Sequence, residues 1–375
     1  GRTEVSDLSP LKGMPLTNLD LYQTHVSDLS PLAGLPMEFL DADATLVTDL
    51  SPLKGMPLKS LNIGYYEGTH ITDLSPLNDL PLQQLTLDFK PDRDTALLRS
   101  IKSLETINGK PTAEFCEAVE AYKAAAKKPL AFTTAGFDQW VKETAALSAE
   151  EQVKAVAKKL QELNPGFDGK VTPGIQNGVV IELTFMTNQV TDISPVLAFV
   201  GLKSLNCPCT GQGHEGLSDL SPLKDMTLNS LSIVHTHVSD LSELRGMKLT
   251  FLHALGTNIT DLSPLKGMPL TYLNINSTAV SDLSPLKGMP LTVAAFHFTP
   301  VSDLSPLQGM PLTNLYCSKT KVTDLSLLKD MPLKDLWLDF KPERHTELLR
   351  SIKTLETINQ KSAAEFWKEV EADGK

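Results

Sequence analysis

The chain is written in short apolar–polar alternations. In Leu16-Thr17-Asn18-Leu19-Asp20-Leu21 the apolar residues at 19 and 21 alternate with polar ones, the period of a brief strand with one buried face. Asn18, Asp20 and Tyr22 must then project from the other face. Thr24 and Val26 turn the chain inward, and Asp28-Leu29-Ser30-Pro31-Leu32 opens a return leg, with Ser30 the expected N-cap and Pro31 the first helical residue. Gly34 ends that leg before a full helix can form.

The same phrase, V-[ST]-D-L-S-P-L-K-G-M-P-L-T-x-L-x-L-x-x-T, recurs along most of the chain. Its Asp falls at Asp7, Asp28, Asp49 and Asp73, then at Asp192, Asp219, Asp240, Asp261, Asp282, Asp303 and Asp324. The steps are 21, 21 and 24 residues in the first group, then 27 followed by five of 21. A fixed period of this size predicts a solenoid, because no single unit buries its own apolar face and stacked units share one core. The expected fold is an α/β solenoid: strands stacked about 4.8 Å apart form a parallel sheet on the concave face, and short helical or 3-10 turns line the convex face. Extra residues are confined to one edge, at Tyr65, Tyr66 and Glu67 and at Gly211 to Gly216.

A longer duplication overlies the repeats. Leu85 to Ala121, LTLDFKPDRDTALLRSIKSLETINGKPTAEFCEAVEA, returns as Leu336 to Ala372, LWLDFKPERHTELLRSIKTLETINQKSAAEFWKEVEA. Each copy follows the last repeat of an array, so each is expected to cover the end of the core with helices over Thr95 to Ser103 and Ala113 to Ala121, or their equivalents. Two tandem modules result. Residues 1–122 form the first array with its helical cap and 123–136 a linker. Residues 137–187 form the front cap of the second module, 188–338 the second array and 339–375 its helical cap. Within the front cap, Ser148-Ala149-Glu150-Glu151 reads as a capping box opening a helix to about Leu163, stopped by Asn164-Pro165-Gly166. Phe167 to Val171 and Val179 to Phe185 read as strands. The chain opens inside a repeat, without an initiator Met, which predicts a longer parent protein.

The pattern L-x-x-L-x-L-x-x-[TN]-x-[VI]-x-D-[LI]-x-x-L resembles the short bacterial leucine-rich repeat of the internalin type. The resemblance implies a stacked hydrogen-bonding ladder at Thr24, Thr45, Thr236, Thr257, Thr278, Thr299 and Thr320, with Asn188 in the first unit of the second array. Leu gives way to Ala at Ala42, Ala254 and Ala294, and to Cys at Cys207 and Cys317, which predicts a thinner core there. The D-L-S-P-L-K-G-M-P-L repeat, the LDFKPxRxTxLLRSIKxLETIN cap and the LSAEEQ and LNPGFDGKV segments together resemble the leucine-rich-repeat regions attached to serine/threonine protein kinases of planctomycete bacteria. That resemblance implies a sensor, scaffold or partner-binding role beside a kinase. The kinase chemistry itself is not in this sequence: there is no Gly-rich phosphate loop, no His-Arg-Asp and no Asp-Phe-Gly, since Asp88-Phe89-Lys90 and Asp339-Phe340-Lys341 lack the Gly.

Composition narrows the partners. A net charge of -11 argues against nucleic acid or an anionic membrane as partner, and no apolar run approaches the ~18 residues of a membrane span. Four cysteines in 375 residues are no disulfide framework; Cys207 and Cys317 sit at core positions and are expected as buried thiols. The Asp column is assigned to capping of the turns, with Lys12, Lys54, Lys266 and Lys287 supplying compensating charge, in preference to calcium. His25, His70 and His237 fall at turns and are expected to be solvated, whereas His235, His253 and His297 fall on or beside the outward face of the strands. No catalytic residue, metal site or cofactor is assigned.

The outward face of the second sheet carries the functional expectation. One column reads Ser230, Phe251, Tyr272, Val293, Asn314 and Asp335, and the next Ser232, His253, Asn274, Ala295, Tyr316 and Trp337. Aromatics at adjacent outward positions are typical of interface anchors. Phe251, His253, Tyr272, Asn274, His297, Tyr316 and Trp337 are therefore the expected contacts with a protein or peptide ligand. The first module offers a more acidic face of Asn18, Asp20, Tyr22, Phe39, Asp41 and Asp43. The sequence thus predicts a non-catalytic binding scaffold; the alternatives are a spacer for an absent catalytic domain or a surface adhesion module of internalin type.

Overall fold

The computed structural model describes residues 5–64, 71, 73–87, 89, 91–126, 130–210 and 216–373. The insert at Tyr65, Tyr66 and Glu67, residues 211–215, His70, Asp88 and Lys90 lie outside those residues. The chain separates into two compact units, Gly1–Lys128 and Pro129–Thr210 with Gly216–Lys375.

In the first unit each L-x-L segment is a three-residue strand: β1 (Asn18–Asp20), β2 (Phe39–Asp41), β3 (Ser60–Asn62) and β4 (Gln84–Thr86). They pair in parallel and in register, so that Leu19, Leu40, Leu61 and Leu85 stack in one column. Leu40, Leu61 and Leu85 are at most 1% exposed, as expected where each unit seals its neighbour. The cap follows: helix α1 (Pro91–Ser100), β5 (Thr106–Ile107) parallel to β4, β6 (Lys110–Pro111) antiparallel to β5, and α2 (Thr112–Ala126). The Thr-Ile segment thus adds a further rung to the sheet before α2 closes the apolar end with Phe115, edge-to-face on Phe89 at 4.9 Å.

The second unit begins with α3 (Phe137–Ala145) and α4 (Ala149–Leu163), then the hairpin β7 (Thr172–Gln176) and β8 (Val179–Thr184). The first hairpin strand is not Phe167 to Val171, as the sequence suggested, but the Pro- and Gly-containing stretch after it. Asn177-Gly178 form the turn, both at positive φ (52° and 74°), the pairing that matches strand twist in a two-residue hairpin. Pro173 is tolerated because β7 is the edge of the sheet. Strands β9 (Ser204–Asn206), β10 (Ser230–Ser232), β11 (Phe251–His253), β12 (Tyr272–Asn274), β13 (Val293–Ala295), β14 (Asn314–Tyr316) and β15 (Asp335–Trp337) extend the sheet in parallel from β8. Helix α5 (Pro342–Ser351), β16 (Thr357–Ile358), β17 (Lys361–Ser362) and α6 (Ala363–Asp373) repeat the first cap. The repetition extends to side chains: Phe340 meets Phe366 edge-to-face at 4.9 Å, and Arg350 pairs with Glu371 at 2.6 Å as Arg99 does with Glu120 at 2.6 Å.

The turn side is built from Ser-Pro-Leu 3-10 turns such as Ser9–Leu11, Ser263–Leu265 and Ser284–Leu286. Ser is not the N-cap: Leu29, Leu262 and their equivalents precede the turn and make no side-chain cap bond. The Asp two residues before Ser does that work. Asp28 Oδ1 accepts the Ser30 N–H at 2.8 Å and Oδ2 the Ser30 hydroxyl at 2.8 Å; Asp261 and Ser263 repeat this at 2.7 and 2.6 Å. These hydrogen bonds hold the Asp28, Asp261 and Asp303 carboxyls below their usual range. Among the described residues no Lys of the K-G pair is ion-paired with them: the carboxylates are satisfied by the Ser N–H and hydroxyl donors, without the compensating charge assigned to Lys12, Lys54, Lys266 and Lys287. The Gly after that Lys, for instance Gly267 at φ 77°, takes the left-handed conformation that ends the turn.

The threonine column also differs from expectation. Each hydroxyl donates to the carbonyl three residues back in its own turn, as Thr278 Oγ1 does to Ile275 O at 2.8 Å and Thr299 to Phe296 O at 2.7 Å. It closes a bend instead of joining units. Ala294 does not leave a thinner core: Phe296, two residues on and also inward, is 1% exposed and returns the missing volume.

The front cap is fastened by polar bonds. Ser148 and Glu151 form the expected capping box, and Asn164, 2% exposed, does more than stop α4. Its Nδ2 donates to Leu160 O and Asp192 O, while Oδ1 accepts from the N–H groups of Thr191 and Asp192, all at 2.9 Å. The stretch 123–136, expected as a linker, divides. Residues 123–126 continue α2, whereas Ala131–Thr133 form a 3-10 turn whose buried Ala131 donates its N–H to Asp192 Oδ2 at 2.7 Å.

Candidate functional site

Parallel register places the outward residues of the second sheet in straight columns. Phe251 pairs with Tyr272, Tyr272 with Val293 and Asn314 with Asp335; His253 pairs with Asn274 and Tyr316 with Trp337. Side chains in such columns sit about 4.8 Å apart, so planar rings on neighbouring strands must stack or tilt. Phe251 and Tyr272 stack at 4.3 Å between centroids with 11° between planes, and the His253 ring stands edge-on 6.2 Å from Tyr272. These three form one aromatic group.

A second group lies across β13. Tyr316 and Trp337 are tilted at 5.3 Å, and His297 meets Tyr316 at 5.8 Å and Trp337 at 5.3 Å. His297 comes from a third outward column, Asn276, His297, Ser318 and Asp339, beyond the strands themselves. There the side chains cap backbone: Asn276 Oδ1 accepts the His297 N–H at 2.7 Å, His297 Nδ1 accepts the Ser318 N–H at 3.0 Å, and Asp339 Oδ2 accepts the Lys319 N–H at 2.7 Å. Between the two groups β13 presents only Val293 and Ala295, the latter 2% exposed. The face is therefore two aromatic ridges with a small-residue strip between them.

Of the seven expected contacts, Phe251, His253, Tyr272, Asn274, Tyr316 and Trp337 are half-buried and face outward, while His297 is 8% exposed and lies beneath its ridge. Asn274 is committed inside its own turn, its Oδ1 accepting the Asn276 N–H at 3.0 Å. With Nδ1 accepting a hydrogen bond, His297 carries its proton on Nε2, which is buried and has no partner. Burial pushes its pKa down to about 4, so it is neutral at pH 7. Burial, with His235 nearby, also lowers the pKa of His253. His25 and His237, expected as solvated turn residues, are half-buried.

One element was missed by sequence reasoning. Tyr316 Oη donates to Asp335 Oδ2 at 2.7 Å and accepts from Asn314 Nδ2 at 3.0 Å, and the Thr357 hydroxyl donates to Asp335 Oδ1. Burial, and then this bond to Asp335, raise the Tyr316 pKa. Asn314 and Asp335 were visible in the column that also holds Tyr272; their coupling to Tyr316 needed the lateral geometry. Cys207 and Cys317 are buried thiols whose pKa burial pushes up to about 12, far from the thiolate needed for reactivity. In the first unit Asn18, Asp20, Tyr22 and Phe39 are exposed and Asp41 half-buried, but Asp43 is buried. Asp41 is engaged by the Asp43 N–H at 2.9 Å and Asn62 Nδ2 at 3.0 Å. Among the described residues no cluster of three or more His, Cys, Asp or Glu is placed to hold a metal ion, and no helix is long and apolar enough to cross a membrane.

No family model matches the chain, and no curated protein matches it. Among solved structures it is similar to an internalin, InlF, of Listeria monocytogenes str. 4b F2365, at 20% identity and a TM-score of 0.40 over 96% of this chain and 78% of that one. Internalin C2 of the same strain matches at 25% identity and 0.41, over 48% of this chain and 80% of that one. The functional domain of InlJ from Listeria monocytogenes, which includes a cysteine ladder, matches at 16% and 0.25, over 90% and 66%. The leucine-rich-repeat architecture of this chain stands on its own register: single-Leu columns, parallel three-residue strands and a 3-10 turn per unit.

Proposed function

We propose that the chain is a non-catalytic leucine-rich-repeat scaffold that binds a protein or peptide through the outward face of its second sheet. The observation that carries this reading is the pair of half-buried aromatic ridges, Phe251/His253/Tyr272 and Tyr316/Trp337 over His297, on a face whose strands are otherwise complete. Aromatic anchors with pre-packed rings lose little side-chain freedom on binding, which is why such residues dominate interface energetics. A place in a larger bacterial signalling protein, linked to a kinase, is supported by the resemblance of the repeat and cap motifs to kinase-attached regions. The two-module layout, with the first array and cap, front cap, second array and second cap in tandem, belongs to the same proposal.

The test is a display selection of random peptides on the immobilised chain, with counter-selection on a Tyr272→Ala/Tyr316→Ala/Trp337→Ala variant that still melts cooperatively. Enriched peptides that bind the parent chain and not the variant support the reading. Peptides that bind both equally move recognition off this face, and a selection with no enrichment favours a spacer role.

A further inference from the structure

We propose that Tyr316, Trp337 and Asp335 form a recognition site for an arginine side chain of a partner polypeptide, a reading that rests on the binding role given to this face above. Tyr316 and Trp337 are register partners on β14 and β15, and both rings are half-buried with part of their surface in solvent. Asp335 precedes Trp337 by two residues on the same face of the same strand, roughly 7 Å along it. Its carboxylate is held in place by the Tyr316 hydroxyl at 2.7 Å and by the Thr357 hydroxyl. Each carboxylate oxygen retains a second lone pair for an incoming donor. A guanidinium laid on the indole face thus finds a ring quadrupole beneath it and an oriented anion beside it.

The charge distribution selects a cation. In the three outward columns from β8 to β15 the charged residues are Glu182, Asp335 and Asp339, with no lysine or arginine among them. Lys334, at the rim, is already paired with Glu356 at 2.9 Å. The histidine beneath the rings is neutral at pH 7 and adds no opposing charge. Among the described residues no lysine or arginine lies over Trp337 or Tyr316, and Asp335 has no ion-pair partner.

The molecule displays the same chemistry where the cation is its own. In the C-terminal cap Arg350 lies over Trp367, 4.4 Å from the ring centroid, and its Nη2 donates to Glu371 at 2.6 Å. Trp337 with Asp335 offers the tryptophan and the carboxylate of that arrangement without the arginine. A planar, weakly hydrated guanidinium suits this pair better than a lysine ammonium, which holds its water more strongly and does not stack.

The experiment uses the full chain labelled with 15N, whose three tryptophans give three indole N–H signals; Trp337→Phe assigns the relevant one. The probes are an acetylated Gly-Ser-Leu-Arg-Leu-Ser-Gly amide and its citrulline and lysine counterparts. The arginine peptide is expected to shift the Trp337 signal saturably, leaving Trp140 and Trp367 in place. Citrulline is expected to weaken binding roughly tenfold, and Asp335→Asn by roughly the same factor. If Asp335→Asn disturbs folding, Tyr316→Phe keeps the ring but releases one of the two bonds that orient Asp335, with a loss of about threefold. Citrulline binding as tightly as arginine at Trp337 would overturn the arginine site while leaving the binding face intact. Unsaturable shifts at all three tryptophans, or no shift with any peptide, overturn it as well. The wider reading falls only if the peptide selection also yields nothing that depends on the aromatic ridges.

Discussion

Phe251 and Tyr272 stand opposite one another on adjacent parallel strands and stack with their planes 11° apart. The contact is a direct result of register: a parallel pair sets residues 21 apart in one line, close enough that neighbouring rings must stack, as here, or tilt, as Tyr316 and Trp337 do. The leucines behind them, Leu252 and Leu273, are stacked by the same register and at most 1% exposed. One geometric rule thus makes both the core column and the surface ridge.

Leu273→Ala is expected to destabilise the second unit by about 2–5 kcal/mol, because it opens a cavity in a column with no spare side chain. Asn274→Ala, its outward neighbour, removes the acceptor of the Asn276 N–H and is expected to cost about 0.5–1.5 kcal/mol. Thermal melts of both variants check the order. A larger loss for Asn274→Ala would invert the assigned strand faces.

Stability should fall as pH drops from 6.5 towards 4. His297 is neutral in the folded chain down to about pH 4, while the unfolded chain protonates it near 6.5. Within that window the unfolded state holds the extra proton, so acidification favours unfolding, by roughly 3 kcal/mol once pH 4 is reached. His253 and His345, whose pKa values burial also lowers, add in the same direction. His297→Asn keeps an acceptor for the Ser318 N–H, as Asn276 does for His297, and should flatten the slope. Urea unfolding at intervals from pH 7.5 to 5.5 measures the slope, above the range where the capping carboxylates, whose folded pKa values are lowered, begin to titrate.

If the second sheet is the recognition surface, Tyr272→Ala, Tyr316→Ala and Trp337→Ala should each weaken a selected peptide by about 2 kcal/mol or more. Lys266→Ala and Lys287→Ala, on the turn side, should leave affinity unchanged. Calorimetric titration decides between the faces: loss at the lysines with retention at the aromatics would place binding on the turns.

Residues 130–375 expressed alone should melt cooperatively. Their buried cluster runs from Ala149 to Phe366, and the first unit has a cluster of its own from Leu8 to Val119. Differential scanning calorimetry should show one transition for this fragment at the temperature it has in the full chain. A broad, non-cooperative trace would mean that its core is incomplete.

The repeat phrase by itself determined a great deal. The spacing of Leu19 and Leu21, or of Leu252 and Ala254, is enough to set strand phase, because side chains in a regular strand alternate between its faces and a one-residue slip would expose every leucine. The duplicated caps were legible because the same segment recurs after each array, and the Ser148–Glu151 capping box because its partners lie three residues apart. What the sequence could not decide were the details of bonding and packing inside a unit and the contacts between units. Inside a unit, that Thr278 bonds back to Ile275 and that Phe296 fills the space left by Ala294 depend on backbone angles and inward volume that periodicity does not encode. His297 beneath its ridge, and Asp335 fixed by Tyr316 and Thr357, lie 19 to 22 residues from their partners. Those pairs exist only because the solenoid's winding brings one unit onto the next, and lateral neighbours of that kind are set by tertiary register.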